Sequence, residues 1–253
     1  MRATVLTIFP EFFRSPLETS FFRRAQGSGA WQVTVRDIRD HAREGVHRAT
    51  DDTPAGGGPG MVMLLDPIVG ALEATIGEFG PPRDGGRSIV LLSAAGPVLT
   101  QAKAEALARR DQLILICGHY EGVDERLLDL FPVEELSIGD YVLTGGESAA
   151  LVVLDAVVRL LPDVLGNPES IREESFQRGV LDHPAYTKPA EYRGLQVPEV
   201  LLSGHHGNIA RWRRQQALLK TARNRPDLLR TAPLSDQERV WLKDQGFDVD
   251  GDD

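Results

Sequence analysis

Two short runs decide the architecture. Residues 88–93 (SIVLLS) and 113–118 (LILICG) are nearly continuous in apolar side chains. A strand with one wet face alternates apolar and polar residues. A strand that does not alternate is covered on both faces, as in a parallel sheet clothed by helices. Residues 3–9 and 33–38 carry weaker strand signals. Helical stretches fall between and after these runs: 66–79 with Pro67 in its first turn, 100–110 with Thr100 as N-cap, and 147–161, apolar on most sides. Strand and helix alternate, so the expected fold class is α/β with a parallel sheet.

The pattern changes after Pro162. Residues 163–178 are polar, with Gly166, Asn167 and Pro168, and read as a linker. Beyond them no strong strand signal occurs. Helices are expected at 208–224 and at 235–245, the second opened by the capping box Ser235-Asp-Gln-Glu238. The expected organisation is an α/β domain over 1–162, an interdomain linker over 163–178 and a small, mainly helical domain over 179–253.

Composition narrows the function classes. Of 253 residues, 42% are hydrophobic and 26% charged, which suits a packed globular chain. Cys117 is the single cysteine, which excludes an internal disulfide framework and any zinc site made from several cysteines. The longest apolar runs are about six residues, against the ~18 that a membrane span needs. The first residues lack the apolar core of a secretory signal, so the expected location is cytoplasmic, with no membrane partner. Lys plus Arg number 28 and Asp plus Glu 37, a formal balance of −9. That total hides a basic stretch. Between His205 and Arg230 lie Arg211, Arg213, Arg214, Lys220, Arg223, Arg225 and Arg230, opposed only by Asp227. Few acids are interleaved to pair at i,i+4, so the segment is a candidate nucleic-acid face. Trp212 within it reads as a core anchor more readily than as a stacking platform.

Three glycine-rich stretches carry the remaining signal: 51–61 (DDTPAGGGPGM), 117–126 (CGHYEGVDER) and 137–147 (SIGDYVLTGGE). None has the P-loop or dinucleotide fingerprint. Two of them lie at strand-to-helix transitions, where open α/β sheets bind ligands. With SAAG ending the strand at 88–93, they suggest one shared pocket. Its basic side chains are few, its main-chain donors and acceptors many, and Tyr120, Ile138, Tyr141 and Leu143 offer apolar walls. Such a pocket suits a nucleoside cofactor without phosphates, S-adenosyl-L-methionine rather than ATP.

The second and third of those stretches, together with DAVVRLLP, LDHPAYTKP and VLLSGHHGNIARWR, closely resemble bacterial tRNA (guanine-N1-)-methyltransferases of the knotted SPOUT class. The resemblance runs from LTIFPEFF to NRPDLL and implies several things. The α/β domain would hold a deep trefoil knot, which no periodicity could have announced. S-adenosyl-L-methionine would methylate N1 of guanosine 37 in tRNAs with G at position 36. The enzyme would be a homodimer with the active site shared between subunits, and the helical domain would grip tRNA. Mg²⁺ use is also implied, although the sequence offers no dedicated cage.

Carried over position by position, the cofactor site would comprise Leu92, Ser93, Gly118, Tyr120, Glu121, Ile138, Gly139, Asp140, Tyr141, Val142, Leu143, Gly145 and Gly146. Gly58, Pro59 and Gly60 would face the target guanine, and His205, Arg211, Arg214 and Lys220 would meet tRNA. Arg159 would contact the base. The family's general base is an aspartate before a Ser-Phe pair, and here that position is Glu174, with Glu173 and Glu169 nearby. Ala94 stands where the family often has proline, and Thr53 and Ala55 replace an arginine and a tyrosine of some members. Two rival readings remain: a relative acting on another RNA, and a catalytically silent RNA-binding relative.

Overall fold

The structure is a computed structural model that describes residues 1–42, 48–83, 86–165 and 174–248. The chain divides into two compact units, Met1–Gly166 and Asn167–Asp253.

The first unit is built on five parallel strands in the order β2-β1-β6-β5-β7. They are β1 (Arg2–Thr7), β2 (Gln32–Asp37), β5 (Arg87–Leu92), β6 (Gln112–Cys117) and β7 (Val133–Leu136). Two-residue strands β3 (Asp51–Asp52) and β4 (Val62–Met63) pair antiparallel at the base of the first glycine-rich loop. The two apolar runs are the sheet's centre. Every residue of β6 is buried, and its side chains divide by the pleat between two cores. Leu113, Leu115 and Cys117 join Val90 and Leu92 beneath the Glu147–Val158 helix. Ile114 and Ile116 join Ile89 and Leu91 against the Leu65–Phe79 helix. Burying a large aliphatic side chain contributes roughly 1.5–3 kcal/mol, so this central pair carries much of the unit's stability.

The ends of the helices follow from their sequences. Thr100 caps the Gln101–Ala108 helix by accepting the Lys103 N–H at 3.2 Å. The carbonyls that end the Leu65–Phe79 helix are taken up by side chains: Arg2 donates to Phe79 O at 2.6 Å and Arg87 to Gly80 O at 2.6 Å. The helix expected to reach residue 161 stops at Val158. Leu160 and Leu161 turn back onto Val157 O and Val158 O, because Pro162 follows and disfavours helical geometry before it. Two elements had no clear signal. The Ser20–Gly27 helix buries only Phe22 and Ala25. β7 (VEEL) is a short edge strand whose glutamates hide its period.

The chain then passes close to itself twice. Beyond β5, Leu99 N–H donates to Ser137 O at 2.8 Å and Ser137 N–H to Pro97 O at 3.0 Å. Gly96 lies so near the Glu135–Leu136 backbone that a Cβ would overlap it. Beyond β6, Gly146 N–H donates to Gly118 O at 2.9 Å. A Cβ on Gly146 would sit 2.7 Å from Cys117 Cα.

In the second unit, the helices His206–Asn224 and Asp236–Asp244 pack Leu218, Ala222, Leu229 and Leu242 into a small core. Ser235 and Glu238 form the expected capping box. A small hairpin, β8 (Glu191–Tyr192) and β9 (Leu195–Gln196), lies where no strong strand signal occurs. Its turn, Arg193-Gly194, has φ of 54° and 83°, the left-handed pair a tight hairpin requires. Two-residue strands are too short for any period to reveal.

Gly146→Ala should destabilise the first unit by about 1–3 kcal/mol, since backbone rather than a flexible side chain must move. Urea unfolding followed by circular dichroism measures this, and an unchanged midpoint would contradict the close approach.

Candidate functional site

A cavity of about 490 Å³ opens at the carboxyl ends of β5, β6 and β7. Three segments build it: Leu91–Ala95 leaving β5, Gly118–Val123 leaving β6, and the stretch from Glu135 to Gly146 leaving β7. The two close passages bring these segments together, so the glycines at 96 and 146 are a precondition of the cavity.

Of the residues expected at the cofactor site, Leu92, Ser93, Gly118, Tyr120, Glu121, Ile138, Gly139, Tyr141, Val142, Leu143, Gly145 and Gly146 all line this cavity. Asp140 is exposed and does not line it. Ala94, Glu125, Glu135, Ser137 and Thr144 line it as well. Glu135 was missed with its strand, and Glu125 reads as an ordinary surface charge.

The charge of the lining is one-sided. Its carboxylates are Glu121, Glu125 and Glu135, and no lysine or arginine is among the described lining residues. Carboxylates repel phosphate and attract a cation. Ile138, Leu143 and Leu92 supply apolar wall.

Tyr120 is held in the left-handed region with φ 60° while half exposed. A bulky residue there is strained, a feature that clusters at functional sites. Burial, and then the charge and hydrogen bond of Asp51, raise its phenol above the ordinary range. Asp51 begins the first glycine-rich loop, so that loop is tied to the cavity wall. Glu121 N–H donates to Met61 O at 3.0 Å, and Met63 N–H to Gly122 O at 2.9 Å. A Cβ on Gly60 would lie 2.5 Å from Glu121 Cγ. Gly58, Pro59 and Gly60 are exposed.

Arg159 is half-buried, at the C-cap of the Glu147–Val158 helix, and does not line the cavity. Glu174 belongs to the second unit, half-buried at the start of a turn in which Gln177 N–H donates to its carbonyl. Glu169 and Glu173 lie outside the described residues. Cys117 is fully buried, and burial, then the nearby Glu147 carboxylate, push its thiol well up. It is an inert core residue. No group of three His, Cys, Asp or Glu among the described residues could hold a metal ion.

In the second unit, His205 is exposed as N-cap of the His206–Asn224 helix. Arg211 is exposed and Lys220 half-buried on the same helix. Arg214 is engaged internally: its Nε donates to Glu238 Oε1 at 2.6 Å. Burial pushes the Glu238 carboxyl up, but Arg214 and the Ser235 donors outweigh it and hold it below its ordinary value. Trp212 is half-buried, its ring 6.2 Å from Tyr186. An open groove of about 1030 Å³ runs beside them, lined by Tyr186, Lys188, Leu202, Ile209 and Arg213 among others.

A depressed carboxylate stabilises the fold above its unfolded pKa, near 4.3, and that contribution is lost as pH falls through the folded value. Glu238→Gln should therefore cost about 1 kcal/mol at neutral pH. Its difference from wild type should shrink below about pH 4. Denaturant unfolding read by tryptophan fluorescence measures this, and a pH-independent difference would contradict the ionic contribution.

Known proteins resemble this chain in sequence over most of its length. A family model of tRNA (Guanine-1)-methyltransferase TrmD matches residues 1–231. The tRNA (guanine-N(1)-)-methyltransferase of Moorella thermoacetica is 53% identical over 246 residues, covering 96% of both chains. The protein of the same name from Heliobacterium modesticaldum is 51% identical over 243 residues, 96% of this chain and 89% of its own. That from Desulforamulus reducens is 46% identical over 246 residues, 96% and 94%. No helix among the described residues is long and apolar enough to cross a membrane. With matches of this extent over both units, the chain belongs to the tRNA (guanine-1)-methyltransferase family.

Proposed function

We propose that this chain transfers a methyl group from S-adenosyl-L-methionine to N1 of guanosine 37 in tRNAs with G at position 36, working in the cytoplasm. The observation that carries this reading is the cavity at the ends of β5, β6 and β7, walled by glycine backbone and apolar side chains, with three carboxylates and no lysine or arginine among its described lining residues. A triphosphate would be repelled there. A ligand with a nucleoside, a sulfonium and an ammonium group finds main-chain partners for the first and acidic side chains for the other two. The two close passages also support the trefoil knot of the SPOUT class, since threading one backbone beside another calls for glycine.

Held by the glycine backbone and apolar side chains of the cavity, S-adenosyl-L-methionine would supply an electrophilic methyl group, with its sulfur as the leaving atom. The protein must free a lone pair on N1, which carries a proton in neutral guanine. The Glu174 carboxylate takes that proton. Charge then shifts toward O6, where the Arg159 guanidinium, suited to the O6 edge of guanine, stabilises it. Glu for the family's aspartate keeps the charge and reaches one bond farther. Gly58, Pro59 and Gly60, tied to Glu121 and Tyr120, form the wall facing the base.

A homodimer fits this scheme. Val142 is 90% exposed within the cofactor segment, and Tyr141 and Leu143 beside it are also exposed. A second subunit would cover them and complete the site. The second unit would be the tRNA-binding domain, through His205, Arg211 and Lys220, with residues 163–178 linking it to the first. Arg214 would serve mainly to seat the Asp236–Asp244 helix. The resemblance also implies Mg²⁺, without a cage for it among the described residues.

Methyl transfer to a G36–G37 tRNA transcript, against an A37 control and with nucleoside mass analysis, tests the reading. The expected product is 1-methylguanosine from the first transcript alone. Under single-turnover conditions Glu174→Gln and Arg159→Ala should each lower the rate by about a hundredfold. A methyl group on ribose or on another RNA would favour the first rival reading, no transfer the silent one. Unchanged single-turnover rates would remove these residues from the mechanism.

A further inference from the structure

The Glu147 carboxylate is 4% exposed, at the first position of the Glu147–Val158 helix. Thr7 Oγ1 donates to its Oε1 at 2.5 Å, and His119 Nε2 lies 2.7 Å from its Oε2. Thr7 Oγ1 itself accepts the Phe9 N–H at 2.8 Å, which leaves the hydroxyl proton for Glu147. Each carboxylate oxygen thus has a hydrogen-bond partner, the Thr7 hydroxyl on one and the His119 ring nitrogen on the other. The helix N-terminus adds favourable partial charge. A buried carboxylate so held joins three different parts of the chain: the end of β1 through Thr7, the turn after β6 through His119, and its own helix start.

Two of those parts are walls of the cavity. His119 and Gly145 both line it, and they pair side by side as an isolated antiparallel bridge. A Cβ on Gly145 would overlap the His119 ring and lie 2.6 Å from Glu147 Oε2. The imidazole therefore packs directly against Gly145, and it meets the Phe9 ring edge-on at 5.0 Å. Glu147 does not line the cavity.

We infer that Glu147 is a positioning residue: through its hydrogen bond to His119 it fixes the spacing of the two walls that grip the methyl donor. This rests on reading the cavity as the methyl-donor site. Glu147 touches the donor only through His119, so altering it changes donor affinity without removing a donor contact.

The test is calorimetric titration of S-adenosyl-L-methionine into wild type, Glu147→Gln, Glu147→Leu and the double variant His119→Phe/Glu147→Leu. Thermal melting and tRNA affinity are measured beside it. Glu147→Leu should bind the donor about ten- to a hundredfold more weakly, with tRNA affinity within about twofold of wild type. Glu147→Gln can still accept from Thr7 and hydrogen-bond the imidazole, and should stay within about threefold of wild type. The double variant removes the imidazole that Glu147→Leu leaves without its partner. It should melt within about 4 °C of wild type yet remain as weak for the donor as Glu147→Leu. If Glu147→Leu does not fold, the other two variants carry the test. Wild-type affinity in Glu147→Leu or in the double variant would overturn the inference. So would a Glu147→Gln variant as weak as the double variant. Failure of wild type itself to take up the donor would instead overturn the reading of the cavity.

Discussion

The structure depends on one steric constraint: the chain leaving β7 must pass against the chain leaving β6 with nothing but hydrogen between them. Gly146 meets Cys117 and Gly118 at backbone distance, and Gly96 does the same against Glu135 and Leu136. These contacts draw three loops together at one end of a parallel sheet. The binding cavity is the space they enclose. A sheet buried on both faces makes this possible, because it gives the loops a rigid rim from which to depart.

Electrostatics then selects what the cavity can hold. Backbone groups and apolar side chains form most of the wall, and the ionised side chains are acidic. A basic stretch lies elsewhere, on and after the His206–Asn224 helix, from Arg211 to Arg230. This separation bears on an oddity of the composition, an acidic protein whose family acts on tRNA: an acidic pocket lies in one unit and a basic helix in the other. Glu147, which does not line the cavity, hydrogen-bonds His119, which does.

Much of this was legible in the residues. The unbroken apolar character of β5 and β6 announced a sheet covered on both sides, and the two faces of β6 do enter separate cores. The Ser235–Glu238 box marked a helix start because both of its partners lie within four residues. The glycine-rich stretches indicated a shared pocket, and all but Asp140 of the cofactor residues implied by the resemblance line one cavity. What stayed hidden depends on contacts distant in sequence. β7 is a strand only because β5 lies beside it. Glu135 and Glu125 become cavity residues only through the fold. Glu147 looks like a first-turn helix acid, and its partnership with Thr7 spans 140 positions. Arg214 counts as a basic-face residue in the sequence, but Glu238 from another helix claims its guanidinium.

The central claim is that an acidic, glycine-walled cavity takes up a cationic nucleoside in preference to a phosphorylated one. Isothermal titration of the purified protein with S-adenosyl-L-methionine, followed by ATP as competitor, tests it most directly. The account predicts saturable uptake of the sulfonium compound near one equivalent per chain or per half of a dimer, undisturbed by ATP. Absence of that uptake, or its displacement by ATP, would contradict it.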